Sequence, residues 1–185
     1  RLYFMSDSPY DKRLLFENNV EFKYAPAGKL RNYFSIWNFT DSIKTFFGIL
    51  SAIWKMYLLY PDVVFGKGGY ASFPALVAAR FWRIPIFLHE SDSIPGRVNL
   101  IAGKWKTTKR IAVSYSDAVS YFPEEKVAVT GNPIRKELLE PTKTGSAEYF
   151  GLKSDIPIIF ITGGSQGAVN INDIVVDNLP VLLKD

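Results

Sequence analysis

The stretch DVVFGKGGYASFPALVAARFWRIPIFLHE, residues Asp62–Glu90, contains two short apolar runs separated by a helical pattern. The runs DVVFG (Asp62–Gly66) and IPIFLH (Ile84–His89) are apolar almost throughout, which is typical of strands covered by helices on both faces. The residues between them, Ala71–Trp82, are predicted to form a helix. A strand, a helix and a second strand in this order predict a parallel α/β unit.

The same alternation extends in both directions from this unit. Further strands are predicted at Leu2–Met5, Val20–Ala25, Arg110–Ser114, Lys126–Gly131 and Ile156–Gly163, and further helices at Asp41–Leu59, Val98–Trp105, Asp117–Phe122 and Val169–Leu179. The pattern predicts a doubly wound parallel α/β sheet. Because EPTKTGSAEYFG (Glu140–Gly151) breaks the apolar rhythm, we predict a first domain over 1–140, a linker over 141–151 and the start of a second domain over 152–185.

Composition excludes several classes of site. The 185 residues include no cysteine and one histidine, which rules out disulfides, cysteine-type zinc or redox centres and histidine-rich metal sites. The net charge of +4 is too small to argue for nucleic acid. One cluster, GKWKTTKR (Gly103–Arg110), places four cations around a tryptophan. It is either a solvated helix end or a patch that faces anionic lipid or phosphate.

A long apolar and aromatic segment, Phe34–Pro61, needs its own interpretation. Charged residues interrupt it, and its longest uncharged core, Thr45–Trp54, is too short to span a membrane. One reading is a helix packed on the sheet. The other is a surface that dips into a membrane, with Trp37 and Phe39 at the level of the headgroups. Both readings can hold for different faces of one helix.

Two glycine-rich turns follow predicted strands. In ITGGSQGAVN (Ile161–Asn170), Gly163 and Gly164 allow a ligand to approach the backbone, and the helix start beyond them offers free N–H groups to an anion such as phosphate. Ser165 adds a hydroxyl donor. A plain strand-to-helix turn is the alternative. GKGGYASFP (Gly66–Pro74) also indicates close backbone approach, or only a tight crossover.

Titratable residues cluster in HESDSIPGRVN, where His89, Glu90 and Asp92 follow a strand. Open α/β sheets bind ligands at the carboxyl ends of their strands. Glu90 is a candidate general base, but it could equally cap the turn, and a lone histidine is more often structural than catalytic.

The segment VTGNPIRKEL (Val129–Leu138) predicts a helix that starts with Asn132 as the capping residue and Pro133 at the first helical position. Arg135 would then lie in the first turn, where the helix dipole disfavours a cation. A bound phosphate would explain an arginine there, and a solvated arginine is the alternative.

Together, GKGGYASFPALVAA, HESDSIPGRVN, VTGNPIRKEL and ITGGSQGAVNIN occur in the order and with the spacing of signature segments of one family. The chain resembles, over essentially its whole length, the MurG family of bacterial peptidoglycan glycosyltransferases. The resemblance implies the GT-B fold, with two Rossmann-like domains. It also implies that this chain holds most of the first domain and only the start of the second, without the family's N-terminal glycine loop and its histidine.

The resemblance implies an inverting transfer of N-acetylglucosamine from UDP-N-acetylglucosamine (UDP-GlcNAc) to the 4-hydroxyl of undecaprenyl-pyrophosphoryl-N-acetylmuramyl-pentapeptide. The expected location is the cytoplasmic face of the membrane, on an anionic lipid surface and without a transmembrane anchor. No cofactor, metal or nucleic acid is expected. The alternatives are a non-catalytic membrane-docking subunit of a split GT-B transferase and another GT-B enzyme that acts on UDP-sugars.

The resemblance also assigns roles residue by residue. Gly163, Gly164, Ser165 and Gln166 match the loop that receives the donor diphosphate, and Arg135 matches an arginine that contacts the nucleotide-sugar across the cleft. Asp92 lies near the transferred sugar, where the family usually has asparagine. The acceptor side is matched by Gly68, Gly69, Tyr70, His89, Glu90 and Asn99. Glu90, and after it His89, are the candidate catalytic residues.

Overall fold

The computed structural model describes residues 1–29, 35–140, 145–153, 158–164 and 167–183. The chain divides into two compact units, Arg1–Pro133 and Ile134–Asp185, which are described separately. The second unit begins before the linker predicted at 141–151, so Arg135 falls within it.

Every strand pair in the first unit is parallel, as the α/β pattern predicts. Strands β1 and β2 form a two-stranded sheet, and β3–β6 form a four-stranded sheet in the order β3-β4-β5-β6. The strands are β1 Leu2–Ser6, β2 Val20–Tyr24, β3 Val64–Gly66, β4 Ile86–Glu90, β5 Thr108–Val113 and β6 Val127–Val129.

Helices connect the strands of this unit. They are α1 Lys12–Glu17, α2 Trp37–Leu59, α3 Phe73–Phe81 and α4 Arg97–Gly103, with 3₁₀ turns at Tyr70–Ser72, Ser116–Tyr121 and Glu124–Lys126. The helical stretch predicted at Asp117–Phe122 is a 3₁₀ helix over Ser116–Tyr121, because it closes i→i+3 bonds: the Ala118 amide donates to the Tyr115 carbonyl at 3.1 Å.

The hydrophobic core lies between the four-stranded sheet and helices α3 and α4. Leu76 of α3, Ile86 and Leu88 of β4 and Ile111 of β5 are essentially inaccessible to solvent. The opposite face of the same sheet carries Phe65, which is 64% exposed. The buried alternate positions of β4 and β5 therefore fix which side chains point towards the helices.

Helix α2 packs closely on the segment that follows β2. A Cβ atom added to Gly48 would overlap the carbonyl oxygen of Pro26, and one added to Gly28 would overlap the backbone of Asp41. The Gly28 amide donates to Thr45 Oγ1 at 2.9 Å. The segment after β2 and helix α2 each have a glycine at the point of contact, because their backbones touch there and leave no room for a Cβ atom. This contact therefore sets the position of α2.

The second unit contains helices α5 Lys136–Leu139, α6 Ser146–Phe150 and α7 Val169–Leu182. The strand predicted at Ile156–Gly163 is not present over its described residues, 158–163. A strand requires a hydrogen-bonded neighbour, and these residues pair with none in the described part of the chain; their apolar side chains, such as Phe160 at 84%, are exposed.

The helix start predicted at Asn132 and Pro133 is also wrong. Helix α5 begins at Lys136, and Arg135 before it is extended, with φ −65° and ψ 139°. The Asn132 side chain does not cap a helix, because its Nδ2 donates to the Ser91 carbonyl at 3.4 Å. Arg135 consequently lies outside the helix and is not held in its first turn.

Candidate functional site

Three loops meet at the carboxyl edge of the four-stranded sheet. They follow β3, β4 and β6, and the parallel register brings the ends of these strands to the same side. The loops contain GKGGY, ESDSIPG and TGNP. Ligands of open α/β sheets bind at this edge, so the structure brings the predicted acceptor-side residues to a suitable place.

Glu90, the last residue of β4, lies at the centre of this junction and is 3% exposed. Its Oε1 accepts a hydrogen bond from the Asp92 amide at 3.0 Å, and its Oε2 accepts from the Gly96 amide and from Asn99 Nδ2, both at 3.0 Å. Both oxygens are therefore engaged by the protein. The sequence left two roles open for Glu90, a general base or a cap of the turn. These contacts are those of a cap.

Asn99 of α4 joins the loop after β4 to the loop after β3. It is 1% exposed, and its Nδ2 also donates to the His89 carbonyl at 3.2 Å. Gly68 has φ +82°, and a Cβ atom there would lie 2.7 Å from Asn99 Nδ2. Glycine is thus needed twice at this position, once for the left-handed backbone and once for the close approach of Asn99.

His89 ties the loop after β4 to the loop after β6. The ring is 4% exposed, and Nε2 donates to the Gly131 carbonyl at 3.2 Å. Nδ1 is buried and has no hydrogen-bond partner among the described residues. The Asn132 side chain makes a second link between these loops through Ser91. This burial matches the structural reading of the histidine more closely than the catalytic one.

Tyr70 connects the glycine loop to the other sheet. Its hydroxyl donates to Asp7 Oδ2 at 3.4 Å, just beyond the end of β1. Burial raises the pKa of Tyr70, and the negative charges of Asp7 and Asp41 and the hydrogen bond to Asp7 raise this pKa further. Tyr70 is accordingly a neutral hydrogen-bonding group at physiological pH.

Two further predicted substrate-binding residues are accessible. Asp92 is exposed on the loop whose backbone Glu90 holds, and Gly69 has φ +76° with no atom within 4 Å of an added Cβ. A ligand could therefore reach both positions without displacing protein atoms.

The donor-side residues lie in the second unit. Gly163 and Gly164 are exposed, whereas Ser165 and Gln166 fall outside the described residues. The Gly167 amide donates to the Gly164 carbonyl at 3.0 Å, so this amide is not available to a phosphate. Helix α7 then begins at Val169. The amides of Ile171 and Asn172 donate to the Ala168 carbonyl at 2.9 and 3.1 Å, whereas those of Val169 and Asn170 have no acceptor among the described residues. Arg135 is exposed in the same unit.

Sequence reasoning missed the partners that hold this edge together. Asp7 could have been found, because it directly follows a predicted strand and thus lies at a carboxyl end. The Gly96 amide and the Gly131 carbonyl could not, because backbone groups leave no sequence signal. Among the described residues, no group of three or more His, Asp or Glu side chains could hold a metal ion. The expectation of chemistry without a metal stays a prediction.

A parallel α/β sheet with three polar and glycine-rich loops at its carboxyl edge is the arrangement of the Rossmann-like α/β class, whose members bind ligands at this edge. Residues 1–111 match the family model of the glycosyltransferase family 28 N-terminal domain. The chain therefore belongs to glycosyltransferase family 28.

Curated relatives are similar to this chain along almost its whole length. The chain is 40% identical over 183 residues to the UDP-N-acetylglucosamine–N-acetylmuramyl-(pentapeptide) pyrophosphoryl-undecaprenol N-acetylglucosamine transferase of Lachnospira eligens, covering 99% of this chain and 51% of the relative. It is 36% identical to the Clostridium botulinum protein of the same name, covering 98% of this chain and 51% of the relative. The chain thus spans about half the length of the curated relatives it matches.

A solved structure is also similar. The crystal structure of MurG from Acinetobacter baumannii matches with a TM-score of 0.61 and 25% identity, over 100% of this chain and 46% of that protein. The Rossmann-like α/β class and the likeness to MurG, both predicted from the sequence, are confirmed.

Proposed function

We propose that this chain is the acceptor-side part of a hexosyltransferase that moves N-acetylglucosamine from UDP-GlcNAc to the 4-hydroxyl of a lipid-linked N-acetylmuramyl-pentapeptide. The names of the relatives support the reaction and both substrates. The observation that carries the proposal is the junction at the sheet edge. There, the buried Glu90 and Asn99 hold the glycine loop and the Asp92 loop side by side.

The proposed reaction is a single displacement at the anomeric carbon. The acceptor 4-hydroxyl forms the new bond, the bond to the diphosphate breaks with inversion, and UDP leaves with the electron pair. Negative charge grows on the diphosphate in the transition state. Hydrogen-bond donors and cations directed at the diphosphate therefore lower the activation free energy of the transfer. The amides of Val169 and Asn170 at the start of α7 and the guanidinium of Arg135 are the groups we assign to this task.

The acceptor hydroxyl also loses a proton during the displacement. Glu90 has both oxygens engaged by loop donors, so in our proposal it positions the loop rather than taking the proton. Asp92 is the exposed carboxylate on the same loop. It is the acidic side chain that could approach a sugar bound at this edge.

Replacing Arg135 with alanine in the intact protein should lower kcat/KM for UDP-GlcNAc about a hundredfold, because the developing diphosphate charge loses its cation. Ser165→Ala should give a loss of about tenfold, since one hydrogen bond to the diphosphate is removed. The measurement is UDP release with a lipid-linked N-acetylmuramyl-pentapeptide acceptor in detergent.

Arg13→Ala is the matched control, because Arg13 is an exposed arginine whose recorded partner is Glu17 on the same helix. Wild-type kinetics for Arg135→Ala would contradict the assigned role. If the intact protein released no UDP at all, the proposed reaction would be wrong, and the non-catalytic docking subunit would become the better account.

We also propose that α2 contacts the membrane. The residues on its outward side recur at helical spacing along the whole helix: Phe39, Ile43, Phe46, Leu50, Trp54 and Tyr57. Each is at least 44% exposed, whereas Gly48, Ala52 and Met56 on the other side are buried. No helix in the described ranges is long and apolar enough to cross a membrane.

This outer stripe includes Phe39 of the predicted membrane contact, and Trp37 beside it is 68% exposed. A continuous aromatic stripe along a surface helix is the pattern of a helix that lies in the membrane interface. Helix α2 carries two cations, Lys44 and Lys55, and one acidic residue, Asp41, and this excess of positive charge favours an anionic surface.

The double variant Phe46→Ser/Trp54→Ser should lower binding to anionic vesicles about tenfold, because two aromatic side chains no longer enter the interface. Trp37→Ser/Phe39→Ser should have a similar effect. Sedimentation with phosphatidylglycerol-containing vesicles measures both. The matched control is Tyr10→Ser/Phe16→Ser, which removes two aromatics that are 85% and 83% exposed and do not belong to α2. Equal losses in the control and in the α2 variants would contradict the proposed contact.

A further inference from the structure

The carboxyl end of β1 carries an acid, Asp7, that has no role in the reaction as proposed above. Asp7 directly follows β1, and Tyr70 follows the glycines of the loop after β3. The Tyr70 hydroxyl donates to Asp7 Oδ2 at 3.4 Å, so the pair links the two-stranded sheet to the glycine loop. Ligands of open α/β sheets bind at the carboxyl ends of the strands, which is where this pair lies.

The chemistry of the two groups fixes the direction of this hydrogen bond. An ionised carboxylate only accepts, whereas a phenol has one O–H donor and lone pairs that accept. Tyr70 therefore gives its one proton to Asp7, and its oxygen keeps the capacity to accept. Within the described ranges, no amide or side chain donates to this oxygen. Its lone pairs are thus left for a donor on a ligand.

The surroundings of Asp7 favour this arrangement. Its Oδ1 accepts from Ser6 Oγ at 3.4 Å, which leaves Oδ2 to Tyr70. No lysine or arginine of the described residues lies within ion-pair distance of the carboxylate, so no cation competes with the phenol for its oxygens. Burial raises the pKa of Tyr70, and the charges of Asp7 and Asp41 and the hydrogen bond to Asp7 raise this pKa further, so the phenol keeps the proton it donates.

The glycine loop leaves room for a ligand beside this pair. Tyr70 is 41% exposed, and the preceding Gly69 has no atom within 4 Å of an added Cβ. Gly68, in contrast, lies against Asn99, which supports the loop from behind. The Tyr70 side chain is therefore carried on a loop that is held on one side and open on the other.

The lipid-linked acceptor of the proposed reaction offers two kinds of group to such a position. Its sugar and its peptide carry O–H and N–H donors, whereas its pyrophosphate carries acceptors and negative charge. A tyrosine whose proton is already given to a carboxylate cannot donate to a pyrophosphate oxygen, and the charge of Asp7 repels it. The pair therefore favours a neutral donor over a phosphate.

We propose that Asp7 is a positioning residue that makes the Tyr70 hydroxyl an acceptor for an O–H or N–H group of the lipid-linked N-acetylmuramyl-pentapeptide. The inference rests on the proposed function and adds to it the part of the acceptor that lies beside the glycine loop, the sugar or peptide rather than the pyrophosphate. Asp7 acts through Tyr70 and does not itself touch the substrate.

The test measures the KM of both substrates in the intact protein. Tyr70→Phe should raise KM for the lipid-linked acceptor about tenfold, because one hydrogen bond to the bound substrate is lost. Asp7→Asn should raise it about fivefold, because an amide can turn its NH₂ group to the phenol and reverse the bond. The KM for UDP-GlcNAc and kcat should stay within about twofold of wild type.

Two comparisons show whether Asp7 acts through Tyr70. The double variant Asp7→Asn/Tyr70→Phe should have the same acceptor KM as Tyr70→Phe alone, since the phenol through which Asp7 acts is already absent. A double variant that shows the product of the two single losses would overturn the positioning role. The matched control is Asp62→Asn, which removes an exposed acid before β3, at the amino end of that strand, and should change neither KM.

The sign of the change in acceptor KM separates this proposal from one in which the glycine loop holds the pyrophosphate. Removing a negative charge beside a bound pyrophosphate would tighten its binding, so Asp7→Asn would then lower the acceptor KM. A lower or unchanged acceptor KM in a protein that still turns over would overturn the role of Asp7 and leave the proposed reaction standing. If wild type released no UDP with this acceptor, the proposed function itself would be wrong, and the inference would fail with it.

A fluorinated tyrosine incorporated at position 70 tests the pairing without turnover. Fluorine shifts the titration of the phenol to a less alkaline range, and fluorine NMR follows it at this single position. The pKa of this residue should be lower in Asp7→Asn than in the protein with Asp7, because a neighbouring negative charge that disfavours the phenolate is gone. Asp41, the other acid that acts on Tyr70, is present in both proteins. An unchanged pKa would show that Asp7 does not hold the Tyr70 proton and would overturn the proposal.

Discussion

Replacing Glu90 with alanine should lower the free energy of unfolding by about 3 kcal/mol, since each donor left buried without an acceptor costs about 1 kcal/mol or more. Three donors lose a hydrogen bond to the carboxylate: the amides of Asp92 and Gly96, and Nδ2 of Asn99, which keeps only its bond to the His89 carbonyl. Because the last of these lies against Gly68, the loops after β3 and β4 should loosen together. Urea denaturation followed by circular dichroism measures the loss.

Two further substitutions serve as comparisons for Glu90→Ala. Glu90→Gln keeps the shape of the side chain, but its amide turns a donor towards one of the three donors, so we expect an intermediate loss of about 2 kcal/mol. Asp92→Asn changes the exposed acid two residues later and should alter stability by less than about 0.5 kcal/mol. If Glu90→Ala were as stable as Asp92→Asn, the carboxylate would not organise the loop, and its role as a general base would return as the leading assignment.

Replacing Gly48 with alanine should destabilise the protein by about 2 kcal/mol, through the overlap of the new methyl group with the segment after β2. The sign of this change in stability is what tests the contact. In a helix interior, alanine is ordinarily more stable than glycine by about 1 kcal/mol. Here the added carbon would meet the carbonyl of Pro26, so α2 would have to move away from its neighbour.

Ser42→Ala on the same helix is the control for this substitution. Ser42 is exposed and donates to the Asn38 carbonyl at 2.7 Å, so its replacement should leave stability within about 0.5 kcal/mol of wild type. The measurement is thermal unfolding of both variants and wild type under the same conditions. An increase in stability for Gly48→Ala would mean that α2 and the Pro26 segment do not touch.

The elements that periodicity predicts well are those whose own residues supply the packing. Strand β4 was found within two residues, since Ile86 and Leu88 are buried and both ends are marked by other residue types. The parallel pairing of the strands was predicted from strand–helix alternation, whereas their order was not. The glycine turn after β3 was also located correctly, because Gly68 and Gly69 both have positive φ.

The errors arise where the conformation depends on a partner distant in sequence. Asn132 and Pro133 form a good local helix start, but the Asn132 amide bonds across to Ser91 and the helix begins later. The apolar run at 158–164 has strand propensity without a paired neighbour in the described residues. Glu90 is ambiguous for the same reason, because only the fold shows which donors surround its carboxylate.

The contact between Gly68 and Asn99 has a practical consequence for chimeric proteins. Transplanting the GKGGY loop into another scaffold moves Gly68 without Asn99. Exchanging α4 between homologues moves Asn99 without Gly68. The side-chain amide of Asn99 occupies the volume that any residue larger than glycine would fill at position 68. A successful exchange has to carry both positions together, along with the carboxylate that orients the asparagine.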